Sequence, residues 1–225
     1  MQSYTLKKDP FSSHSFIAFT INKHKPNRIL DIGCNRGMIG KTLGQKWKNK
    51  LWAVDVDVNA IKKASRYYKE IYKVDIEKMN PRSEAKFDCL IFGDVLEHFI
   101  DPWSTLKKCV DQLLKRNGLV IISLPNIVNW HVRWHLAMGN FVYKQRGLMD
   151  ITHLRFFTLK SAKLLIGNAG LSILENKVSP IPLPLIWKQT DVDKPFFWLH
   201  CLNYSITNLR PGLFGYQLLF VCKKK

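Results

Sequence analysis

Short apolar runs recur through the first 125 residues, and longer polar stretches with helical spacing separate them. Most of these runs do not alternate between apolar and polar positions, which is typical of strands buried on both faces of a sheet. The repeated strand–helix order predicts a doubly wound, largely parallel α/β sheet. The predicted strands are Arg28–Ile32, Leu51–Asp55, Ile71–Val74, Phe87–Phe92 and Leu119–Leu124.

The intervening stretches predict helices over Met38–Lys46, Val58–Tyr68 and Pro102–Lys115, and a further helix over Pro10–Asn22 precedes the first strand. Asp101 suits the N-cap of the third helix and Pro102 suits its first turn. Asn117-Gly118 predicts the end of that helix. After Pro125 the alternation stops, and residues 126–151 are aromatic, basic and irregular. A helix near Thr158–Ala169 and strands over Leu171–Val178 and Phe214–Cys222 complete the pattern.

A glycine-rich turn follows the first strand, and an acidic residue, Asp31, lies at its start. The dinucleotide pattern Gly-x-Gly-x-x-Gly would fall on positions 35, 37 and 40, but Asn35 replaces its first glycine. The pattern acidic-x-Gly-x-Gly-x-Gly matches Asp31, Gly33 and Gly37 with the same single substitution. Asparagine is the non-glycine residue that best tolerates left-handed backbone, so we expect the turn to survive.

Carboxylates also end the next two strands. Asp55 follows the turn by about 20 residues, the spacing at which a carboxylate accepts both hydroxyl groups of a ribose. Asp57 is better explained as a helix cap. Asp75 ends the third strand, where it can accept a hydrogen bond from an adenine amino group. Asp31 itself could hold an ammonium group, either directly or through water.

Further downstream, the chain reads Asp94-Val-Leu-Glu-His98, then Asp101-Pro102, Leu114-Lys-x-x-Gly118 and Leu124-Pro-Asn126. With the glycine turn and its carboxylates, these motifs resemble the class I S-adenosylmethionine-dependent methyltransferases, in particular the ubiquinone-biosynthesis O-methyltransferase-like branch. The stretch from Arg146 to Thr158 is similar to methyltransferases of bacterial glycan biosynthesis.

The resemblance implies a Rossmann-like α/β fold: a seven-stranded, mostly parallel sheet of order 3-2-1-4-5-7-6, with the last strand antiparallel and helices on both faces. It implies a single domain over 1–225, with a helical extension over 1–25, a cofactor-binding core over 26–125 and acceptor-side insertions over 126–157 and 179–212. The implied cofactor is S-adenosyl-L-methionine. The expected cofactor-binding residues are Asp31, Gly33, Asn35, Gly37, Asp55, Val56, Asp75, Ile76, Gly93 and Asp94.

Two histidines, His98 and His153, are the candidate catalytic bases, while Tyr143, Arg146 and Arg155 are the candidate acceptor ligands. Packed histidines and structural salt bridges are the competing interpretations. If Asp94, Glu97 and His98 shared a helix face at i, i+3 and i+4, they could gather a divalent ion. Ordinary capping and packing explain that trio better, so we expect no metal. The expected reaction is O-methylation of a small molecule such as a glycan precursor or a prenylated phenol.

The formal net charge of +18 favours anionic partners, although the basic residues are dispersed. The chain has no long apolar run and no signal-peptide pattern, and its five cysteines are scattered, so we expect a cytoplasmic protein with reduced thiols. Ile181–Trp187 and Phe196–Leu199 suggest peripheral contact with the inner face of a membrane and a lipid-linked acceptor. An RNA methyltransferase is a less favoured alternative, because no nucleic-acid-binding appendage is recognisable. A non-catalytic, cofactor-binding regulatory protein is the other.

Overall fold

The fold is organised around one twisted sheet. A computed structural model describes residues 9–79, 86–186 and 197–225, and within these residues the sheet has seven strands in the order β3-β2-β1-β4-β5-β7-β6. The strands are β1 (Ile29–Ile32), β2 (Leu51–Asp55), β3 (Glu70–Lys73), β4 (Phe87–Gly93), β5 (Leu114–Pro125), β6 (Leu171–Ser179) and β7 (Gln217–Lys224). Strands β1 to β5 pair in parallel, and β7 runs antiparallel to both β5 and β6. The predicted fold class and strand order are therefore confirmed.

Helices cover both faces of the sheet. They are α1 (Ser13–His24), α2 (Met38–Leu43), α3 (Val58–Ala64), α4 (Pro102–Leu113), α5 (Trp130–Ala137), α6 (Leu159–Asn168), α7 (Leu183–Ile186), α8 (Phe197–Leu209) and α9 (Pro211–Phe214). Their starts follow from local sequence: Asp57 accepts hydrogen bonds from the first-turn amides of α3, and Asp101 does the same for α4. The cap predicted at Asp101 and the one preferred for Asp57 are both confirmed.

Alternate side chains of each central strand enter different cores. In β1, Leu30 and Ile32 pack on the side of α4 and α6, whereas Ile29 packs on the side of α1 and α2. In β4, Phe92 and Ile91 divide in the same way. Burial on both faces explains why these strands are continuous apolar runs without alternation.

Several element boundaries differ from the predicted ones. Helices α2 and α3 end at Leu43 and Ala64, and 3₁₀ turns replace their predicted last turns. Helix α4 ends at Leu113, because Leu114 already pairs with Phe87 of β4. The next registered pair in this ladder is Cys89 with Leu119, so residues 115–118, including Asn117-Gly118, bulge out between the two pairs. Strand β7 begins at Gln217 because Pro211–Phe214 forms α9.

Two buried asparagines fix the insertions beyond β5. The Asn126 side chain donates to the carbonyl oxygens of Gly212 and Gly215, and the Asn129 side chain donates to those of Phe214 and Gly215. These bonds hold α9 against the start of α5.

Two sequence expectations fall partly beyond the described residues. Trp187 and Phe196, which belong to the two stretches predicted to contact a membrane, lie outside them. None of the described helices combines the length and the apolar character that crossing a membrane requires.

Candidate functional site

The glycine turn after β1 forms a narrow cradle. Gly33, Asn35 and Gly37 have φ angles of +74°, +46° and +76°, all in the left-handed region. A Cβ atom on Gly37 would lie 2.9 Å from the Ala64 backbone, and one on Gly33 would collide with Val95. Asn35 adopts the left-handed conformation expected for it, so the turn survives the substitution.

Asp31 lies fully buried beneath this turn. Its Oδ2 atom accepts a 2.5 Å hydrogen bond from the Tyr68 hydroxyl group, whereas its Oδ1 atom accepts none from any described residue. Burial raises the pKa of Asp31 to about 7, although the Tyr68 bond opposes the shift. A buried carboxylate oxygen without a donor is costly, so a ligand that brings a donor would be stabilised here.

Asp55 closes the other side of the cradle at the end of β2. Its Oδ2 atom accepts from the Asn35 amide at 2.7 Å, and its Oδ1 atom accepts from the Asp57 amide at 2.9 Å. Each carboxylate oxygen keeps a second lone pair for a ligand hydroxyl group. Asp57 uses its own carboxylate to cap α3. The neighbouring Val56 side chain is exposed.

Asp75 and Ile76 follow β3 at the same edge of the sheet. Asp75 accepts from the Glu77 amide and pairs with Lys78 at 3.3 Å, and it stays partly exposed. Ile76 is buried in the core on the α4 side of the sheet. Asp75 is thus available at the surface, whereas Ile76 contributes packing.

Gly93 ends β4, and Asp94 directly follows it, next to the turn. Space at Gly93 is restricted, since a Cβ atom there would lie 2.8 Å from Ile39. Asp94 has a left-handed φ of +53°, and its carboxylate accepts from Ser123 at 2.7 Å, from Gln217 at 2.7 Å and from Ser13 at 3.3 Å. These three partners lie on β5, on β7 and on α1. Asp94 therefore joins three elements around the mouth of the cradle.

The two candidate bases lie close together. The His98 and His153 ring centroids are 4.9 Å apart, and Nε2 of His153 is 4.0 Å from Oε1 of the buried Glu97. The Glu97 carbonyl oxygen accepts from the amides of Leu154 and Arg155, which attaches the segment carrying His153 to the end of β4.

Hydrogen bonding fixes the tautomer of His153. Its Nδ1 atom lies 3.3 Å from the Leu148 carbonyl oxygen. A carbonyl oxygen only accepts, so Nδ1 carries the proton and Nε2 keeps its lone pair. Burial, followed by the nearby His98, lowers the pKa of His153, and burial raises the pKa of Glu97 well above its usual range. The lowered pKa of His153 favours its neutral form, in which Nε2 can accept a proton.

Asp94, Glu97 and His98, considered from sequence as a possible metal site, do not share a helix face. Asp94 precedes the short 3₁₀ turn Leu96–His98, and its carboxylate is already bonded to other elements. His153 takes its place: ligand atoms of Glu97, His98 and His153 all lie within 4.8 Å of one another. Because His153 lies more than 50 residues downstream of Glu97 and His98, local sequence spacing did not indicate this cluster.

The three candidate acceptor ligands differ in their surroundings. Tyr143 is exposed and its ring contacts Phe141, and Arg146 is exposed on the same segment. Arg155 instead donates from Nε to the Ile100 carbonyl oxygen at 3.0 Å, and from its terminal nitrogens to the carbonyl oxygens of Ile100 and Leu154. This geometry assigns Arg155 to holding the loop after the 3₁₀ turn.

Sequence reasoning missed two side chains at the site. Tyr68, which donates a hydrogen bond to Asp31, is the last residue of a predicted helix and had no predicted role in the site. Burial and the nearby Asp94 raise the pKa of Tyr216 to about 12, and a Cβ atom on Gly147 would lie 3.0 Å from the Tyr216 hydroxyl oxygen. Tyr216 thus lies near both Asp94 and Gly147. No local motif indicated either residue.

The described residues fit the cofactor that the sequence resemblance implies. The buried Oδ1 atom of Asp31 suits the cofactor's ammonium group, and the free lone pairs of Asp55 suit the two ribose hydroxyl groups. The glycine positions leave room that a side chain would fill.

Comparisons with known proteins agree with this geometry. A family model described as a methyltransferase domain matches residues 5–176. The ubiquinone biosynthesis O-methyltransferase of Dinoroseobacter shibae is 27% identical over 200 residues, which cover 85% of this chain and 76% of that protein. The enzyme of the same name from Bradyrhizobium diazoefficiens is 32% identical over 132 residues, covering 56% of this chain and 50% of that one.

A solved structure extends the agreement to the fold. Magnesium protoporphyrin IX methyltransferase from Synechocystis PCC 6803, with bound S-adenosylhomocysteine, superposes with a TM-score of 0.62 at 13% identity, covering 95% of this chain and 82% of that one. At this identity the likeness supports the fold alone.

Proposed function

Because this chain belongs to the class I S-adenosylmethionine-dependent methyltransferases, by the match of their domain model to residues 5–176, we propose that it methylates an oxygen atom of a small acceptor. The acceptor we propose is anionic or lipid-linked, such as a glycan precursor or a prenylated phenol. The observation that carries the oxygen assignment is the hydrogen bond from Nδ1 of His153 to the Leu148 carbonyl oxygen, which leaves the Nε2 lone pair available as a base, and burial favours this neutral form. An oxygen nucleophile gains most from such a base.

Cofactor binding rests on the cradle. Asp31 holds the ammonium group, Asp55 accepts the ribose hydroxyl groups, and Asp75 faces the adenine end. When bound, S-adenosylmethionine supplies an electrophilic methyl group on a positively charged sulfur. The protein's main task is then to align and desolvate the reactants.

The acceptor side supplies the base and the anion contacts. His153 takes the proton from the acceptor hydroxyl group at Nε2, and the backbone of Glu97 keeps the His153 segment in position. His98 donates to the Thr152 carbonyl oxygen at 3.0 Å and packs on the His153 ring. Arg146 and Tyr143 contribute a cation and an aromatic face to the acceptor.

A panel assay tests this function. The wild-type protein is incubated with S-adenosylmethionine and either nucleotide sugars, quinol precursors or RNA, and S-adenosylhomocysteine release is measured. Turnover with a small hydroxylated acceptor is expected, whereas turnover with RNA alone would contradict the proposal. Because Glu97, His98 and His153 could ligate a cation, the assay is repeated in EDTA. Unchanged turnover is expected from base catalysis, and a loss restored by a divalent cation would assign the cluster to metal binding.

A further inference from the structure

Helix α8 has the reverse of the usual amphipathic pattern. Its fully buried residues are polar, namely His200 and Thr207, while four of its large apolar residues are exposed. Trp198, Leu202, Ile206 and Leu209 are 61, 49, 40 and 79% exposed. At about 100° per residue they fall within an arc of about 80°, so they form one stripe along the helix. An exposed apolar stripe of this kind marks an interaction surface.

Polar contacts hold α8 in this orientation. His200 lies 3.0 Å from the Asp9 carboxylate, and Asn203 donates to the Ile181 carbonyl oxygen at 2.9 Å. The Tyr204 ring stacks on Phe11 at a centroid distance of 4.1 Å. Because these partners fix the inner face, rotating the stripe inward would break them. The outward position of the stripe is therefore built into the packing.

A second stripe of exposed apolar residues lies along α5, and hydrogen bonds join the start of α5 to the end of α9. Trp130, Trp134 and Met138 follow one another at four-residue spacing, and all three are exposed. The carbonyl oxygens of Phe214 and Gly215, at the end of α9, accept from Asn129 at the start of α5, and α9 directly follows α8 in the chain. Helices α5 and α8 thus both present exposed apolar side chains among the described residues.

We propose that the stripe on α8 docks this protein on an anionic lipid bilayer. Charge favours that occupant: the chain carries a net charge of +18, and the exposed Arg210 directly follows the stripe. A second copy would bring the same positive charge and be repelled, whereas anionic headgroups attract it. Trp198 at one end of the stripe suits the interface between headgroups and acyl chains. The docking requires no methyl transfer, so it stands or falls separately from the proposed function.

Vesicle co-sedimentation tests the proposal with the double variant Leu202→Gln/Leu209→Gln. Vesicles contain phosphatidylcholine alone or equal parts of phosphatidylcholine and phosphatidylglycerol. Wild type is expected to pellet with the anionic vesicles at low salt, and the double variant to bind at least about tenfold more weakly. Leu164→Gln/Leu174→Gln, which changes two leucines exposed elsewhere, is the matched control and should bind as wild type does.

Three results would overturn the proposal. They are absence of wild-type pelleting with anionic vesicles, equal loss of binding in the control variant, and a wild-type dimer that Leu202→Gln/Leu209→Gln dissociates in analytical ultracentrifugation. The last result would make the stripe an interface between copies. Calorimetric binding of S-adenosylhomocysteine to the double variant should equal that of wild type, which separates lost docking from lost folding.

Discussion

The proposed cofactor half of the site, around the glycine turn, and the proposed acceptor half, over residues 126–157, are built in opposite ways. Around the cradle, Asp31 is completely buried, and the Val95 side chain and the Ala64 backbone lie so close to Gly33 and Gly37 that a Cβ atom on either glycine would collide. From Trp130 to Gly147, by contrast, only Val132 is buried. The first half is fixed by backbone conformation and buried hydrogen bonds. In the second half most side chains are exposed, so they can differ with the acceptor. His153 differs from them, because its Nδ1 atom is hydrogen-bonded to the Leu148 carbonyl oxygen.

The largest effect on turnover is expected from His153→Gln. Glutamine preserves polarity but cannot act as the base, so kcat should fall by about 10²- to 10⁴-fold. Affinity for S-adenosylhomocysteine should change little, because the cradle is untouched. The exposed His135 provides the control His135→Gln, which should retain wild-type kcat. Equal kcat values in the two variants would show that His153 is not the catalytic base.

The pH dependence of kcat tests His153 as the base. Burial and His98 lower its pKa, so the neutral, proton-accepting form persists below the usual value of about 6.5. Turnover should therefore hold as pH falls through 6.5 and decline only at lower pH. A pH profile of kcat with wild type measures this. A decline beginning well above pH 7 would show that another group limits the reaction.

On the cofactor half, the largest effect is expected from Asp55→Ala. This change removes the ribose acceptor and the bond to the Asn35 amide, and should weaken S-adenosylhomocysteine binding by about 100-fold. Asp57→Ala is the matched control two positions away. It removes a helix cap and should lower the free energy of unfolding by about 1 kcal/mol, with little change in Kd. Similar Kd values for both variants would contradict the ribose assignment.

A smaller effect is expected from pH on cofactor affinity. Burial raises the pKa of Asp31 to about 7, so this carboxylate is ionised above pH 7 and protonated below it. Only the ionised form attracts an ammonium group. Affinity should therefore fall as pH drops through 7, by up to about tenfold per pH unit, and level off above it. Calorimetry from pH 6 to 8.5 measures the effect, and Asp31→Asn should abolish it. A wild-type Kd independent of pH would contradict the role of Asp31.

The smallest effect is expected from Asn35→Gly. Asn35 already adopts a φ of +46°, so glycine relieves only modest strain, and Kd should change by less than about threefold. If cofactor binding appeared only in this variant, the native turn would not be a functional cradle.

Sequence patterns predicted the backbone of the glycine turn and the helix caps well, because the determinants of both are local. Glycine positions, caps and strand-end carboxylates lie within short stretches, and the predicted left-handed Asn35 is what the structure contains. Element ends were less predictable: the ladder pair Phe87–Leu114 ends α4 earlier than its own sequence indicates. This difference reflects tertiary pairing, which a local pattern does not encode.

The acceptor half could not be predicted in the same way, because its contacts join distant segments. The Glu97 side chain lies 4.0 Å from His153, and the Glu97 carbonyl oxygen accepts from the amides of Leu154 and Arg155, more than 50 residues away in the sequence. Arg155 illustrates the limit: its charge suggested an acceptor ligand, but its guanidinium group donates to backbone carbonyl oxygens. The outward stripe of α8 becomes recognisable only when the buried face of that helix is known.

Titration calorimetry of S-adenosylhomocysteine into wild type and Asp55→Ala measures whether the glycine turn and its carboxylates hold the cofactor. We expect binding of one molecule per chain to wild type, with a Kd about 100-fold weaker in the variant. Absence of binding to folded wild-type protein, or equal affinity in the two proteins, would contradict this expectation.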